Sequence, residues 1–130
     1  MLVQFAAVAA GAAIGAWLRW GLGAWLNPRF PTLPLGTLSA NLVGGLAMGI
    51  VMEVATRHAL LSPEARLFVT TGFLGGLTTF STFSAEAATL VTRGEWLWAV
   101  GLIASHVIGS ILLTLAGLWL ARLAFAGAAP

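Results

Sequence analysis

One stretch, GFLGGLTTFSTFS at Gly72–Ser84, constrains the fold of this chain more than any other. It lies inside a long apolar segment, yet it is rich in glycine and in hydroxyl side chains. Glycine in a helix interior costs about 1 kcal/mol relative to alanine, so Gly75 and Gly76 favour a break in a helix there. Irregular backbone at membrane depth is tolerated only where it lines a cavity or is buried in protein. The stretch is therefore expected to line a path through a membrane.

The membrane setting follows from the low charge content of the chain. Of its 130 residues, 59% are hydrophobic and only 8% are charged, whereas soluble domains are about 25% charged. Lipid is therefore the expected solvent. The few arginines form no basic run that could neutralise a row of phosphates, so nucleic acid is not an expected partner.

Four apolar segments reach the length of about 20 residues that a membrane-spanning helix needs. They cover residues 3–26, 36–56, 64–91 and 96–123. The third is longer than one crossing requires, so we expect it to be unwound near 75–79 and to form two half-helices. Ser62, Pro63 and Glu64 before it fit an N-cap, a proline at N1 and an acid in the first turn. The prediction is a single all-α transmembrane domain over residues 1–130.

Small and polar residues recur every four positions within these segments. Gly11 and Gly15 form a GxxxG pair, on which another helix can pack closely. Asn41 begins a second stripe, so it either ties two helices together or lies on a polar path. Arg19 has two compatible interpretations: its side chain reaches the lipid headgroups, or it places a positive charge at the mouth of an aqueous vestibule.

The six arginines are divided evenly between the two predicted faces of the membrane. One face carries Arg57, Arg66 and Arg122, and the other carries Arg19, Arg29 and Arg93. Such a balance gives almost no preferred orientation, so the chain is expected to insert both ways and to pair with an inverted copy of itself. Near the end of the second span, Glu53 is expected at the water boundary, where it can pair with Arg57 at i,i+4.

The polar side chains favour a path for a small anion. Phe80 and Phe83 share a helix face, and the edge of a phenyl ring is electropositive. Hydroxyl and amide groups donate the hydrogen bonds that an anion needs when it loses water. His106, Ser110 and Thr114 form a polar stripe on the fourth span. Taken alone, the two phenyl rings would be read as packing, but the hydroxyls around them indicate a lining.

Two other functions fit the sequence less well. A hydrolase dyad of Ser81 or Ser84 with His106 lacks a GxSxG elbow and a third group to orient the histidine, so the chain is not expected to be an enzyme. The alternative function is a small dual-topology, proton-coupled exporter of cationic compounds. Exporters of that kind use a carboxylate in the first span, where this chain has neither Asp nor Glu.

Three motifs resemble those of the small bacterial fluoride channels, the Fluc or CrcB family. GFLGGLTTFSTF at Gly72–Phe83 is similar to the third-helix signature, GTLSANLVGG at Gly36–Gly45 to the second-helix motif, and GAAIGAWLRW at Gly11–Trp20 to the first. The resemblance covers the whole chain. It implies a channel of the bacterial inner membrane that passively exports cytoplasmic fluoride. It leaves the roles of Glu86 and His106 open.

The resemblance also implies an assembly and a set of site residues. The expected assembly is an antiparallel, dual-topology homodimer with two fluoride pathways, surrounded by lipid. Phe80 and Phe83 would be the rings of the pathway, and Arg19 would lie near the vestibule. The carbonyls of Gly75 and Thr78 would hold a central Na⁺ at the dimer interface. The polar residues implied along the pathway are Asn41, Ser81, Thr82, Ser110 and Thr114.

Overall fold

The computed structural model describes residues 1–57 and 61–126, with the side chain of Arg57 left out, and every regular element in these ranges is helical. Helix α1 is Leu2–Leu26 and α2 is Leu35–Arg57, with a 3₁₀ turn at Asn27–Arg29 between them. Helix α3 covers residues 63–77, α4 is Phe80–Thr92 and α5 is Trp96–Phe125. Helices α1, α2 and α5 are each long and apolar enough to cross a membrane. The expected all-helical class is thereby confirmed.

Helix α3 is a composite of three geometries. It begins with α-helix at Pro63–Leu67, widens to π-helix at Phe68–Leu74 and closes with one α-helical turn at Gly75–Leu77. Its start is the one expected from the sequence: Oγ of Ser62 accepts a hydrogen bond from the Ala65 N–H at 3.1 Å. The π segment had no counterpart in the sequence analysis.

The break that follows α3 is narrower than expected. Thr78 and Thr79 have extended backbone, with ψ of 154° and 117°, and α4 begins directly after them. The expectation that residues 75–77 unwind is wrong, because Gly75–Leu77 remains helical. Thr79 is the N-cap of α4, since its Oγ1 accepts a hydrogen bond from the Thr82 N–H at 3.1 Å.

Glycines bring α1 and α3 into backbone contact. A Cβ at Gly11 would lie 2.7 Å from N of Phe73, and one at Gly15 would lie 2.7 Å from N of Leu77. A Cβ on the opposite helix at Gly72 would in turn lie 3.1 Å from Cα of Gly11. These distances leave no room for side-chain carbon, so the predicted GxxxG packing of α1 is confirmed. Gly72 and Gly76 of α3 serve this contact and do not unwind the helix.

Helices α2 and α5 also pack closely along much of their length. A Cβ at Gly45 would lie 2.9 Å from O of Ser110, and one at Gly117 would lie 3.1 Å from N of Ile50. Oγ1 of Thr114 donates across this contact to O of Gly45 at 3.0 Å. The α2 and α5 pair therefore forms a fixed wall beside the break.

The far end of this wall holds an ion pair. Nε of Arg122 donates to Oε2 of Glu53 at 3.0 Å, and Glu53 is only 2% exposed. Glu53 thus lies near the end of α2, where the sequence predicts it, but the packed ends of α2 and α5 enclose its carboxylate. The side chain of Arg57 and all of His58 lie outside the described residues, so the expected Glu53–Arg57 pair stays a prediction.

Candidate ion pathway

A groove of about 460 Å³, open on one side, runs past the break. Helix α2 and helix α5 form one wall, and the end of α3 with the first turn of α4 forms the other. Most of the residues predicted for the site contribute to its lining. These are Asn41, Gly75, Thr78, Phe80, Phe83, Ser110 and Thr114. The fold therefore brings together residues from all four predicted spans except the first.

Two phenyl rings meet edge-on in this groove. The ring centroids of Phe80 and Phe83 are 5.5 Å apart, with 69° between the ring planes. Phe80 is 78% exposed, whereas Phe83 is 7% exposed and stacks on the imidazole of His106 at 4.6 Å and 25°. Because ring edges are electropositive, the pair can offer C–H groups to a small anion without any fixed positive charge.

Asn41 clamps the break from the side of α2. Its Oδ1 accepts a hydrogen bond from the Thr79 N–H at 2.7 Å, and its Nδ2 donates to O of Thr79 at 3.0 Å. The same Nδ2 lies 3.0 Å from Nδ1 of His106. The side chain thus acts as the tie between helices that one interpretation of the sequence proposed, and both hydrogens of its amide are engaged.

The break releases backbone carbonyls from helical pairing. In a continuous helix the N–H of Phe80 would donate to O of Gly76. Here that carbonyl accepts a hydrogen bond from Nε of Arg19 at 3.0 Å. Arg19 therefore lies against the break from the side of α1 and is not among the residues that line the groove.

Two further carbonyls lose their helical donors. The N–H of Thr79 donates to Asn41 and no longer to O of Gly75, and the N–H of Thr82 donates to Oγ1 of Thr79 and no longer to O of Thr78. Released carbonyl oxygens at a broken membrane helix are suitable ligands for a hard cation such as Na⁺. Gly75 is also exposed, so the chemistry of these oxygens fits the predicted Na⁺ site.

A second cavity, of about 370 Å³, lies on the other side of α4. Its lining includes Thr82, Glu86, Arg93 and Glu95. The hydroxyl of Thr37 donates to Oε1 of Glu86 at 2.6 Å and fixes the carboxylate. Helix α4 contributes to both spaces, because Thr82 and Glu86 line this cavity and Phe80 and Phe83 line the groove.

Ser81 and Thr82 were predicted on the same pathway as the groove residues, and the structure does not bring them into the groove. Thr82 lines the second cavity. Ser81 is exposed, and its Oγ lies 3.3 Å from Oγ1 of Thr79. Hydroxyl groups therefore connect the second cavity with the break.

Sequence reasoning missed the structural role of Thr79, whose backbone binds Asn41 and whose side chain caps α4. The residue type was a usable signal for the cap, because Ser and Thr are favoured at the N-cap of a helix. The contact of His106 with both Asn41 and Phe83 had no local signal, since these residues lie on three different helices.

Comparison with known proteins supplies independent findings. A family model described as "CrcB-like protein, Camphor Resistance (CrcB)" matches residues 6–118. The chain is 56% identical over 125 residues to the fluoride-specific ion channel FluC of Nitrosospira multiformis, covering 93% of this chain and 98% of the relative. It is 57% identical over 113 residues to the protein of the same name from Thiobacillus denitrificans, covering 87% and 91%. The Pseudomonas putida protein of that name is 56% identical over 118 residues, covering 91% and 93%.

Proposed function

Since this chain belongs to the CrcB-like family, we infer that it is a fluoride ion channel and a multi-pass protein of the bacterial inner membrane. The observation that carries the inference is the edge-on pair of Phe80 and Phe83 in a groove beside a broken helix. Relatives more than half identical over nearly the whole chain carry the name fluoride-specific ion channel. Ion conduction is not an enzyme activity, and it fits a site without a catalytic constellation.

The two cavities provide a route for the ion. Fluoride enters from water at the cavity around Thr82 and Glu86, follows the hydroxyls near the break, and continues along the groove past Phe83. Ser110 and Thr114 extend the polar lining of the groove on α5. The absence of lysine and arginine from the lining of the groove favours conduction over tight capture. Transport is passive and follows the electrochemical gradient of fluoride.

A second copy of the chain completes the pathway. The groove is open on one side, Phe80 is 78% exposed and Gly75 is exposed. Lipid cannot pair with polar backbone at this depth, so protein is the appropriate cover for the released carbonyls. The even division of the six arginines supports an antiparallel, dual-topology homodimer. Each dimer would then contain two pathways.

The same interface would hold a structural Na⁺. The carbonyls of Gly75 and Thr78 are the ligands that one chain supplies, and the inverted copy would supply the same pair. An ion bound between two broken helices would compensate the unpaired carbonyls and fix the two breaks relative to each other.

Ion efflux from vesicles tests the function. Purified protein is reconstituted in liposomes loaded with fluoride or with chloride, and release is followed with ion-selective electrodes. We expect rapid fluoride efflux and retention of chloride. Equal release of both halides would contradict fluoride selectivity, and proton-driven uptake of a lipophilic cation would instead support the exporter alternative.

Single-cysteine labelling tests the dual topology, and the natural chain contains no cysteine that would interfere. The variant Thr92→Cys places a thiol at the exposed end of α4 and keeps all six arginines, so the charge balance is unchanged. A membrane-impermeant maleimide applied to intact cells should label about half of the protein, because each orientation is equally populated. Labelling of all or none of the molecules would reject dual topology.

A further inference from the structure

The side chain of His106 has a buried nitrogen whose partner is unaccounted for. The residue is 4% exposed and lines the groove. Among the residues that the structure describes, its Nε2 has no hydrogen-bond partner. A buried polar atom without a partner costs about 1–3 kcal/mol, and such atoms in native proteins call for an explanation such as a bound ion.

The hydrogen bonds of Asn41 determine which nitrogen of His106 carries the proton. The N–H of Thr79 can only donate, so the atom of Asn41 that faces it must be Oδ1. The other atom of the amide is then Nδ2, which can only donate. Since Nδ2 lies 3.0 Å from Nδ1 of His106, Nδ1 is the acceptor. In a neutral imidazole the proton is therefore on Nε2.

The imidazole that carries this N–H group lines the same groove as the two phenyl rings. The imidazole stacks on Phe83 with 4.6 Å between the ring centroids, and Phe83 in turn meets Phe80 edge-on. We propose that Nε2–H of His106 is a direct hydrogen-bond donor to fluoride in the groove, and that Asn41 sets the tautomer required for it. The proposal rests on the proposed function, because it names a ligand of the same ion.

The imidazole N–H would add a strong hydrogen bond, which the phenyl rings cannot make. Ring C–H groups are weak donors, whereas an imidazole N–H makes a full hydrogen bond, which is stronger when its acceptor is an ion. Fluoride is small and strongly basic as an acceptor, so it gains more from such a bond than chloride does. His106 would therefore contribute to selectivity as well as to passage.

A pair of substitutions separates this role from a purely structural one. His106→Asn keeps an acceptor near the position of Nδ1 for Asn41 but removes the outer N–H. His106→Gln keeps an amide N–H near the position of Nε2 but removes the acceptor for Asn41. If Nε2–H contacts the ion, His106→Asn should lower fluoride efflux by about tenfold or more, and His106→Gln should retain most of it.

The opposite ranking would overturn the proposal, because it would mean that His106 acts only by holding Asn41. Wild-type efflux in both variants would overturn it as well. If both variants fail to conduct, the direct measurement on the unsubstituted histidine described next decides.

Nitrogen NMR provides that direct measurement. The chain has two histidines, so the variant His58→Gln labelled with ¹⁵N-histidine gives one imidazole signal, that of His106. We expect a neutral imidazole protonated at Nε2, whose N–H signal shifts on titration with fluoride and not with chloride. Protonation at Nδ1, or an N–H signal that does not respond to fluoride, would refute the proposal.

The role of His106 and the channel function can be tested separately. A chain that releases fluoride selectively while its His106 signal ignores fluoride would contradict this proposal alone. A chain that releases no fluoride in reconstituted vesicles would contradict the proposed function itself.

Discussion

Asn41 and Thr79 form a two-point clamp, in which a side-chain amide on α2 makes two hydrogen bonds with the backbone of the break. The Thr79 N–H donates to Oδ1 at 2.7 Å, and Nδ2 donates back to the Thr79 carbonyl at 3.0 Å. Both backbone groups of Thr79 are thus bound by a residue 38 positions away in the chain. The clamp explains how a helix can be interrupted at this depth without leaving the polar groups of Thr79 unpaired.

The clamp predicts the effect of replacing Asn41. Asn41→Leu leaves the N–H of Thr79 without its acceptor and should lower the free energy of unfolding by about 1–3 kcal/mol, with loss of fluoride efflux. Unfolding by sodium dodecyl sulfate in mild detergent measures the stability. Asn41→Asp keeps the acceptor for Thr79 and should fall between the wild type and Asn41→Leu. Wild-type stability of Asn41→Leu would show that the clamp contributes nothing.

The exposed ring of Phe80 predicts a defect in conduction without a defect in folding. Phe80→Ile removes an electropositive ring edge from the groove but disturbs little packing within the chain, because Phe80 is 78% exposed. Fluoride efflux should fall by about tenfold or more, as a loss of about 1.4 kcal/mol in ion stabilisation would cause. Phe5→Ile is the matched control, since Phe5 is 68% exposed and lies outside the groove; it should conduct normally. Unchanged efflux in Phe80→Ile would assign the ring to packing.

The backbone contact of α1 with α3 predicts a strong effect of one methyl group. Gly15→Ala places Cβ 2.7 Å from N of Leu77, so the two helices must separate, at a cost of about 1–3 kcal/mol. Gly21→Ala on the same helix meets nothing within 4 Å and should be neutral or stabilising by up to about 1 kcal/mol. The same denaturation assay compares the two variants. Equal stability of both would contradict the close contact.

The released carbonyls of Gly75 and Thr78 predict a dependence on Na⁺. Because backbone oxygens cannot be removed by substitution, the test is to purify and assay the protein with N-methyl-D-glucamine in place of sodium. We expect a less stable dimer and reduced fluoride efflux, both restored when sodium is returned. Full activity after exhaustive removal of sodium would leave these carbonyls without a role in binding a cation.

The sequence was sufficient for features that depend on neighbouring residues. Ser62 and Pro63 were recognised as a helix start from local rules, and the Gly11 and Gly15 pair was recognised as a packing surface from its spacing. Helix lengths followed from the extent of the apolar segments. These features need no knowledge of what lies opposite in the fold.

The features that the sequence could not supply depend on distant contacts. The break lies at Thr78 and Thr79, and not across residues 75–77, because Asn41 binds Thr79 from another helix while Gly76 packs against α1. Arg19 was assigned to a vestibule or to the headgroups, yet its Nε binds O of Gly76, 57 residues away. Local propensity does not encode such pairings.

The close contact of α3 with α1 has a mechanical consequence. Gly72 lies in the π segment and Gly76 in the α-helical turn that follows it. Both glycines face α1, so the two backbones touch on either side of the change in helix geometry. Rotation of α3 about its axis would force these backbones apart. We therefore expect the half-helix before the break to stay fixed against α1 while ions pass, without a hinge movement.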